Sequence, residues 1–155
     1  MDDQGEGRPE RRFAAERVLM PGVARGQALV LDEPLSLWGG LDTVSGRVID
    51  GRHPQFGRNL SGRIVLLPWG RGSSSSSSVL AEAVRAGTAP AAIVLLEADP
   101  IIALGAVVAA ELYGRAPPVV TLPEEAYRMI RDGDDVAVEA GQADGLVQVR
   151  GSVSR

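Results

Sequence analysis

Residues 91–96, Ala-Ala-Ile-Val-Leu-Leu, are an unbroken apolar run closed off by Pro90 and Glu97. A run this short and this uniform predicts a β-strand buried on both faces, as in a sheet with a layer on each side. Its neighbours agree. Residues 63–67 read as a second apolar strand, and 118–122 as a third. Between them lie two helical patterns. Residues 79–86 carry Val79, Leu80, Ala83 and Val84 at helical spacing, with Gly87 placed as a stop. Residues 101–113 begin after Asp99, an N-cap residue, with Pro100 at the first helical position. This second helix is apolar on nearly every side until Glu111, so it should be covered by more than one layer, within the domain or by a partner.

Upstream, residues 23–31 and 47–49 read as strands, separated by Gly, Pro, Asn and Asp. Downstream, a short helix over 123–131 precedes a hairpin of 136–139 and 146–150. Strand–helix alternation after residue 63, following a strand-rich first half, predicts one α/β domain with a β-rich entrance. Residues 1–17 hold nine charged side chains of mixed sign with Gly5, Gly7 and Pro9, and read as a disordered leader. The domain should therefore run over 18–151, with 152–155 as a tail.

Composition removes several chemistries. The 155 residues contain no cysteine and no lysine, and one histidine, His53. Cysteine-held zinc, iron–sulfur ligation, Schiff-base lysine and a lysine-dependent phosphate loop are excluded for this chain alone. A net charge of −4 speaks against a nucleic-acid surface. The longest apolar run, residues 101–110, is about half of what spans a bilayer. A cytoplasmic domain without membrane or nucleic-acid partners is expected.

Two segments remain as places for chemistry. One is Pro68-Trp69-Gly70-Arg71-Gly72 followed by six serines, 73–78. Serine runs are ordinarily linkers, but here an apolar strand enters the tract and an amphipathic helix leaves it. The better description is strand, glycine turn, and a helix whose first turn is serine. Such a start presents unpaired N–H groups and the positive end of the helix dipole, which suits a carboxylate or phosphate. Part of the tract can equally serve as an N-cap. The other segment is Ser36-Leu37-Trp38-Gly39-Gly40-Leu41-Asp42, trailed by Asp50 and His53-Pro54. On residue chemistry alone, the glycines serve a turn, Trp38 packs, Asp42 is a turn residue and His53 is a structural hydrogen-bonder.

These motifs, in this order, together with Gly46, Gly62, Ala89-Pro90-Ala91-Ala92-Ile93 and residues 104–109, resemble the small swivel subunit of aconitase X enzymes over about residues 18–125. The resemblance implies a swivelling β/β/α domain. It also implies a large, cysteine-bearing subunit that holds an iron or iron–sulfur centre, so that this chain binds no cofactor itself. Family members dehydrate small hydroxy acids: cis-3-hydroxy-L-proline in bacteria, 5-phosphomevalonate in archaea. By the same resemblance Ser73 is the catalytic base and Ser74 helps hold the substrate carboxylate, while Arg71, Gly72 and the helix start at Ser75 and Ser76 are taken as further substrate contacts. Ser36, Gly39, Gly40, Asp42 and His53 become site or interface candidates. Ser75 and Ser76 stand where relatives often have Thr and Gly, and no arginine follows the serine pair.

Serine is a poor base. Bringing its pKa from the free value down to near neutrality takes roughly 8 kcal/mol, against about 0.3–2 kcal/mol from a helix N-terminus. The chain is therefore expected to be inactive alone, with cis-3-hydroxy-L-proline as the preferred substrate and 5-phosphomevalonate as the alternative. A reading from another class is a non-catalytic module that binds an anion or a partner at the serine-capped helix.

Overall fold

The structure is a computed structural model that describes residues 9–71 and 74–151. Its centre is built from the expected apolar strands, which pair in parallel. Strands β4 (Ile64–Leu67), β5 (Ala92–Leu95) and β6 (Val119–Thr121) pair in parallel, and the last three residues of β3 (Gly22–Val30) pair with β4. The first six residues of β3 pair instead with β7 (Asp135–Ala140), antiparallel, and β7 pairs with β8 (Gly145–Arg150) as the expected hairpin. One nine-residue strand thus serves two sheets, passing from an antiparallel to a parallel neighbour along its length.

The charged N-terminal stretch departs from expectation. Within the segment read as a disordered leader, Arg11–Ala14 form β1 against β8, and β2 (Arg17–Met20) pairs with β6. The order is β1-β8-β7-β3-β4-β5-β6-β2, with the two sequence-adjacent strands at opposite ends. Ala15 and Glu16 step from one end to the other, their N–H groups donating to Gly145 O at 2.9 Å and Thr121 O at 2.8 Å. The chain between β1 and β2 thus links the two ends of the strand order. The alternation in β1 explains the misreading. Phe13 packs toward the core while Arg12 faces water, and the charges mask a half-buried strand. Residues 1–8 and the proposed tail at 152–155 lie outside the described residues.

Two cores follow from strand alternation. Ala28, Ile64, Leu66, Ala92, Val94, Val120, Val136, Val138, Val147 and Val149 fill the space enclosed by the strands. Val65, Leu67, Ile93, Leu95 and Val119 face the other way, under the helices. This is why β4 and β5 are apolar at every position.

The helical layer consists of α2 (Ser75–Ala86) and α3 (Pro100–Tyr113), with the short α4 (Glu124–Met129) covering the strand interior. Gly87 closes α2 at φ 81°. The two long helices cross closely because position 105 is glycine. A Cβ there would lie 3.0 Å from both Leu80 Cβ and Ser77 O. Residues 47–49 do not form a strand. They make only isolated bridges, Leu41 with Val48 and Arg47 with Asn59, inside a long loop. That loop still buries Leu31, Leu35, Leu37, Leu41, Val48 and Leu60 in the helix-side core, so its apolar residues cover the sheet without adding to it.

Candidate functional site

The Ser36–Gly40 segment, Arg71 and the serine helix start come together where β4 ends. Leu35 lies beside Gly70 in a parallel bridge, and Arg71 N–H donates to Leu35 O at 3.2 Å. The glycine turn after β4 is thereby laid against the Ser36–Gly40 segment, two regions more than thirty residues apart in sequence. Asp99 locks the arrangement. Its Oδ1 accepts from Ile101 N at 2.9 Å and Ile102 N at 3.0 Å, capping α3 as expected. Its Oδ2 accepts from Gly70 N at 2.8 Å. Only glycine fits at 70, since a Cβ would stand 2.7 Å from that same Oδ2.

The serine tract divides. Helix α2 begins at Ser75, four residues before the apolar pattern starts. Ser74 occupies the N-cap position in helical geometry (φ −59°, ψ −17°) and makes no side-chain cap. Its carbonyl accepts instead from Ser77 Oγ at 2.6 Å. Ser74 and Ser75 face outward, whereas Ser76 and Ser77 are buried. Ser76 Oγ accepts from Trp38 N at 3.3 Å and so ties α2 to α1 (Leu37–Gly40). That element is an irregular turn rather than a helix, with Gly39 at φ 82° and Trp38 at ψ 116°. Ser73 and Gly72 lie outside the described residues.

Trp38 does not pack. It is 63% exposed at the rim of the site, and Trp69 is partly exposed across the turn. Ser36 Oγ donates to Trp38 O at 3.0 Å, and Gly40 is buried against Leu35. His53 is spent on its own loop. One ring nitrogen, Nδ1, accepts from Gln55 N and the other, Nε2, contacts Glu33 O, both at 3.0 Å. Asp42 lies in the turn closed by Leu41 and Val48, where the Ser45 hydroxyl, at 2.7 Å, and the Val44 N–H hold its carboxyl below the usual range. Neither His53 nor Asp42 lines the notch.

That notch, walled by Leu35, Leu37, Gly70, Arg71, Ser76, Asp99, Ile101 and Ile102, has a volume of about 30 Å³. This is room for one water, far below the several hundred Å³ of a pocket that encloses a ligand. What it offers is one wall, the exposed Arg71 and the buried Ser76, beside the outward Ser74 and Ser75 at the start of a twelve-residue helix. Among the described residues no three His, Asp or Glu side chains converge to hold a metal, and the chain has no cysteine. An iron centre does not fit this donor set. Among the same residues no helix is long and apolar enough to cross a membrane. Asp99 is the residue whose position sequence reasoning placed only as a helix cap. The Asp-Pro pair announces the cap, but nothing local announces that its second oxygen reaches a glycine 29 positions upstream.

An antiparallel β-layer that shares β3 with a parallel sheet under two helices defines a swivelling β/β/α domain. The chain belongs to the aconitase X swivel domain family, whose model matches residues 13–149. Over 108 residues, 70% of this chain, it is 52% identical to cis-3-hydroxy-L-proline dehydratase of Pseudomonas aeruginosa. It covers 19% of that protein, so the chain spans about a fifth of this relative's length. It is 42% identical over 127 residues to the phosphomevalonate dehydratase small subunit of Methanothermobacter thermautotrophicus, covering 81% of this chain and 92% of that one. Among solved structures it is similar to aconitase X of Thermococcus kodakaraensis in its holo-form. The TM-score is 0.77 at 28% identity, over 88% of this chain and 98% of that one.

Proposed function

We propose that this chain is the swivel subunit of an aconitase X-type hydro-lyase, which completes its active site only against a large subunit. The observation that carries the reading is the half-built notch. Arg71 and the buried Ser76 line a notch of about 30 Å³, Ser74 and Ser75 face outward beside it at the start of α2, and no metal-ligand cluster occurs among the described residues. In this reading Ser73 Oγ takes the proton from the acidic C–H of the substrate. Arg71, Gly72, Ser74, Ser75 and the N–H groups at the α2 start hold its carboxylate. Ser76, buried and bonded to Trp38 N, keeps the helix start in place. Departure of the hydroxyl is left to groups outside this chain, where the family resemblance puts the cysteine-held iron centre. The charges that make a serine basic must come from the same side, since a helix N-terminus supplies only about 0.3–2 kcal/mol.

Cis-3-hydroxy-L-proline is the preferred substrate, supported by the 52% identity to the Pseudomonas dehydratase. The longer match, 127 residues, to a phosphomevalonate dehydratase small subunit favours 5-phosphomevalonate as the second reading. A cytoplasmic location fits a cysteine-free chain acting on a small metabolite. The assembled enzyme should be assayed on both compounds side by side, with each subunit alone as control. Turnover of one compound by the assembly and by neither subunit supports the reading. Turnover by this chain alone, or of neither compound by the assembly, overturns it.

A further inference from the structure

Helix α3 has an outer face that nothing in the domain covers. Its inner face, Ile102, Gly105, Ala106 and Ala109, is buried against α2 and the sheet. On the outside, Leu104 is 45% exposed, Val107 43% and Leu112 65%. Leu104, Val107 and Leu112 are the exposed apolar residues of this side, and half-buried Ile101 and Val108, the latter packed toward α2, border it to make a face about 17 Å long. Glu111 is the helix's one charge. Soluble helices put polar residues on this face, and contiguous exposed apolar surface marks an interaction site. Other exposed apolar side chains of the domain, such as Val23 and Val44, lie on separate elements far apart in the chain.

We infer that this stripe of α3 is the surface on which the large subunit docks. Two observations select that occupant over a second copy of the chain. First, the stripe begins at the site. Ile101 walls the notch, and Asp99, one residue before the helix, clamps the glycine turn. Whatever closes over the notch reaches Leu104 within one helical turn. Second, in the Pseudomonas relative the matched region is 19% of the protein. The same fold there has four fifths of an enzyme beside it, and a helix apolar on its outer side suits a permanent neighbour. Typical stable interfaces take about 800 Å² from each partner. The stripe would be the apolar centre, with the Trp38 and Trp69 rim at one end.

The inference rests on the heteromeric reading, and the test separates the two. The full chain, tagged, is co-expressed with its cognate large subunit, and binding is measured on purified components. The Leu104→Glu/Val107→Glu pair, both on solvent-facing positions, should weaken association about 100-fold or more. Its circular dichroism and melting should remain those of the wild type. Turnover lost at dilute concentrations should return when the large subunit is added in excess. The control Val23→Glu, on the antiparallel half of β3, should bind as wild type. Wild-type binding matched within threefold by the pair overturns the docking surface and leaves the heteromeric reading standing. Wild type that does not bind overturns both. A wild-type homodimer that the pair dissolves, with large-subunit binding intact, also overturns the inference.

Discussion

Replacing Asp99 by asparagine keeps the shape of the side chain and changes what one atom can do. The carboxylate now accepts three backbone hydrogen bonds, two from the α3 start and one from Gly70. Asparagine has one acceptor oxygen. If that oxygen caps α3, its amide donor meets the Gly70 N–H across 2.8 Å, and two donors face each other. If it flips, Gly70 is satisfied and the cap is lost. A hydrogen bond to a charged group contributes about 1.5–3 kcal/mol, and a negative charge at a helix start about 0.3–1 kcal/mol. Because Asp99 is half-buried, solvent softens both, and a loss of about 1.5–3 kcal/mol is expected for Asp99→Asn. Asp99→Ala also loses the cap, about 1 kcal/mol more. For a chain this long each kcal/mol is worth about 2–4 °C in Tm. Urea unfolding of the full chain, followed by circular dichroism, measures both variants. In the assembled enzyme Asp99→Asn should lower kcat more than it raises KM, because the turn that leads into the serine tract loses its anchor. Asp99→Asn within about 0.5 kcal/mol of wild type and with unchanged kcat would refute the clamp.

Two further outcomes follow from other parts of the fold. Burial raises the pKa of Tyr127 well above the ordinary value of about 10, and its hydroxyl is buried without a partner among the described residues. The stability tied to the protonated phenol is present below pH 10 and is lost as pH rises past it, since the unfolded chain ionises there first. Tyr127→Phe should therefore be neutral or up to about 2 kcal/mol stabilising at pH 7, and should flatten the loss above pH 10 in a urea series. Gly105→Val should cost about 3 kcal/mol or more through overpacking at the α2–α3 crossing. Unfolding midpoints at equal slope check it, and a cost below 1 kcal/mol would mean that the helices separate easily.

The central apolar strands, the two helices, the Asp99 and Gly87 caps and the final hairpin were legible because each is fixed by local pattern. An all-apolar strand at 91–96, Asp99-Pro100 and Gly87 each carry their reason within a few residues. Elements closed by distant partners were not. Phe13 is the single strong apolar signal of β1 among charges, and its pairing with β8 lies more than 130 residues away. Val48 alternates like a strand residue, yet the loop around it is held by Thr43, Asn59 and Thr88 contacts rather than by a ladder. The site was half legible. The strand, glycine turn and helix opened by serine were readable in order, and α2 does begin within the tract, at Ser75. The Trp38 prediction failed because a large aromatic is packed only if something covers it, and here the domain supplies no cover. The α3 pattern carried the same message in the sequence, a helix too apolar for one layer.

The central claim is that this fold delivers a basic serine to an active site completed by another subunit. Its most direct test is the turnover of Ser73→Ala in the assembled enzyme on cis-3-hydroxy-L-proline, with 5-phosphomevalonate in parallel. A fall in kcat of about 10²–10⁴-fold is expected, the range for loss of a positioned acid–base group, with assembly and substrate affinity retained. An assembled Ser73→Ala enzyme that dehydrates either compound at the wild-type rate would contradict it.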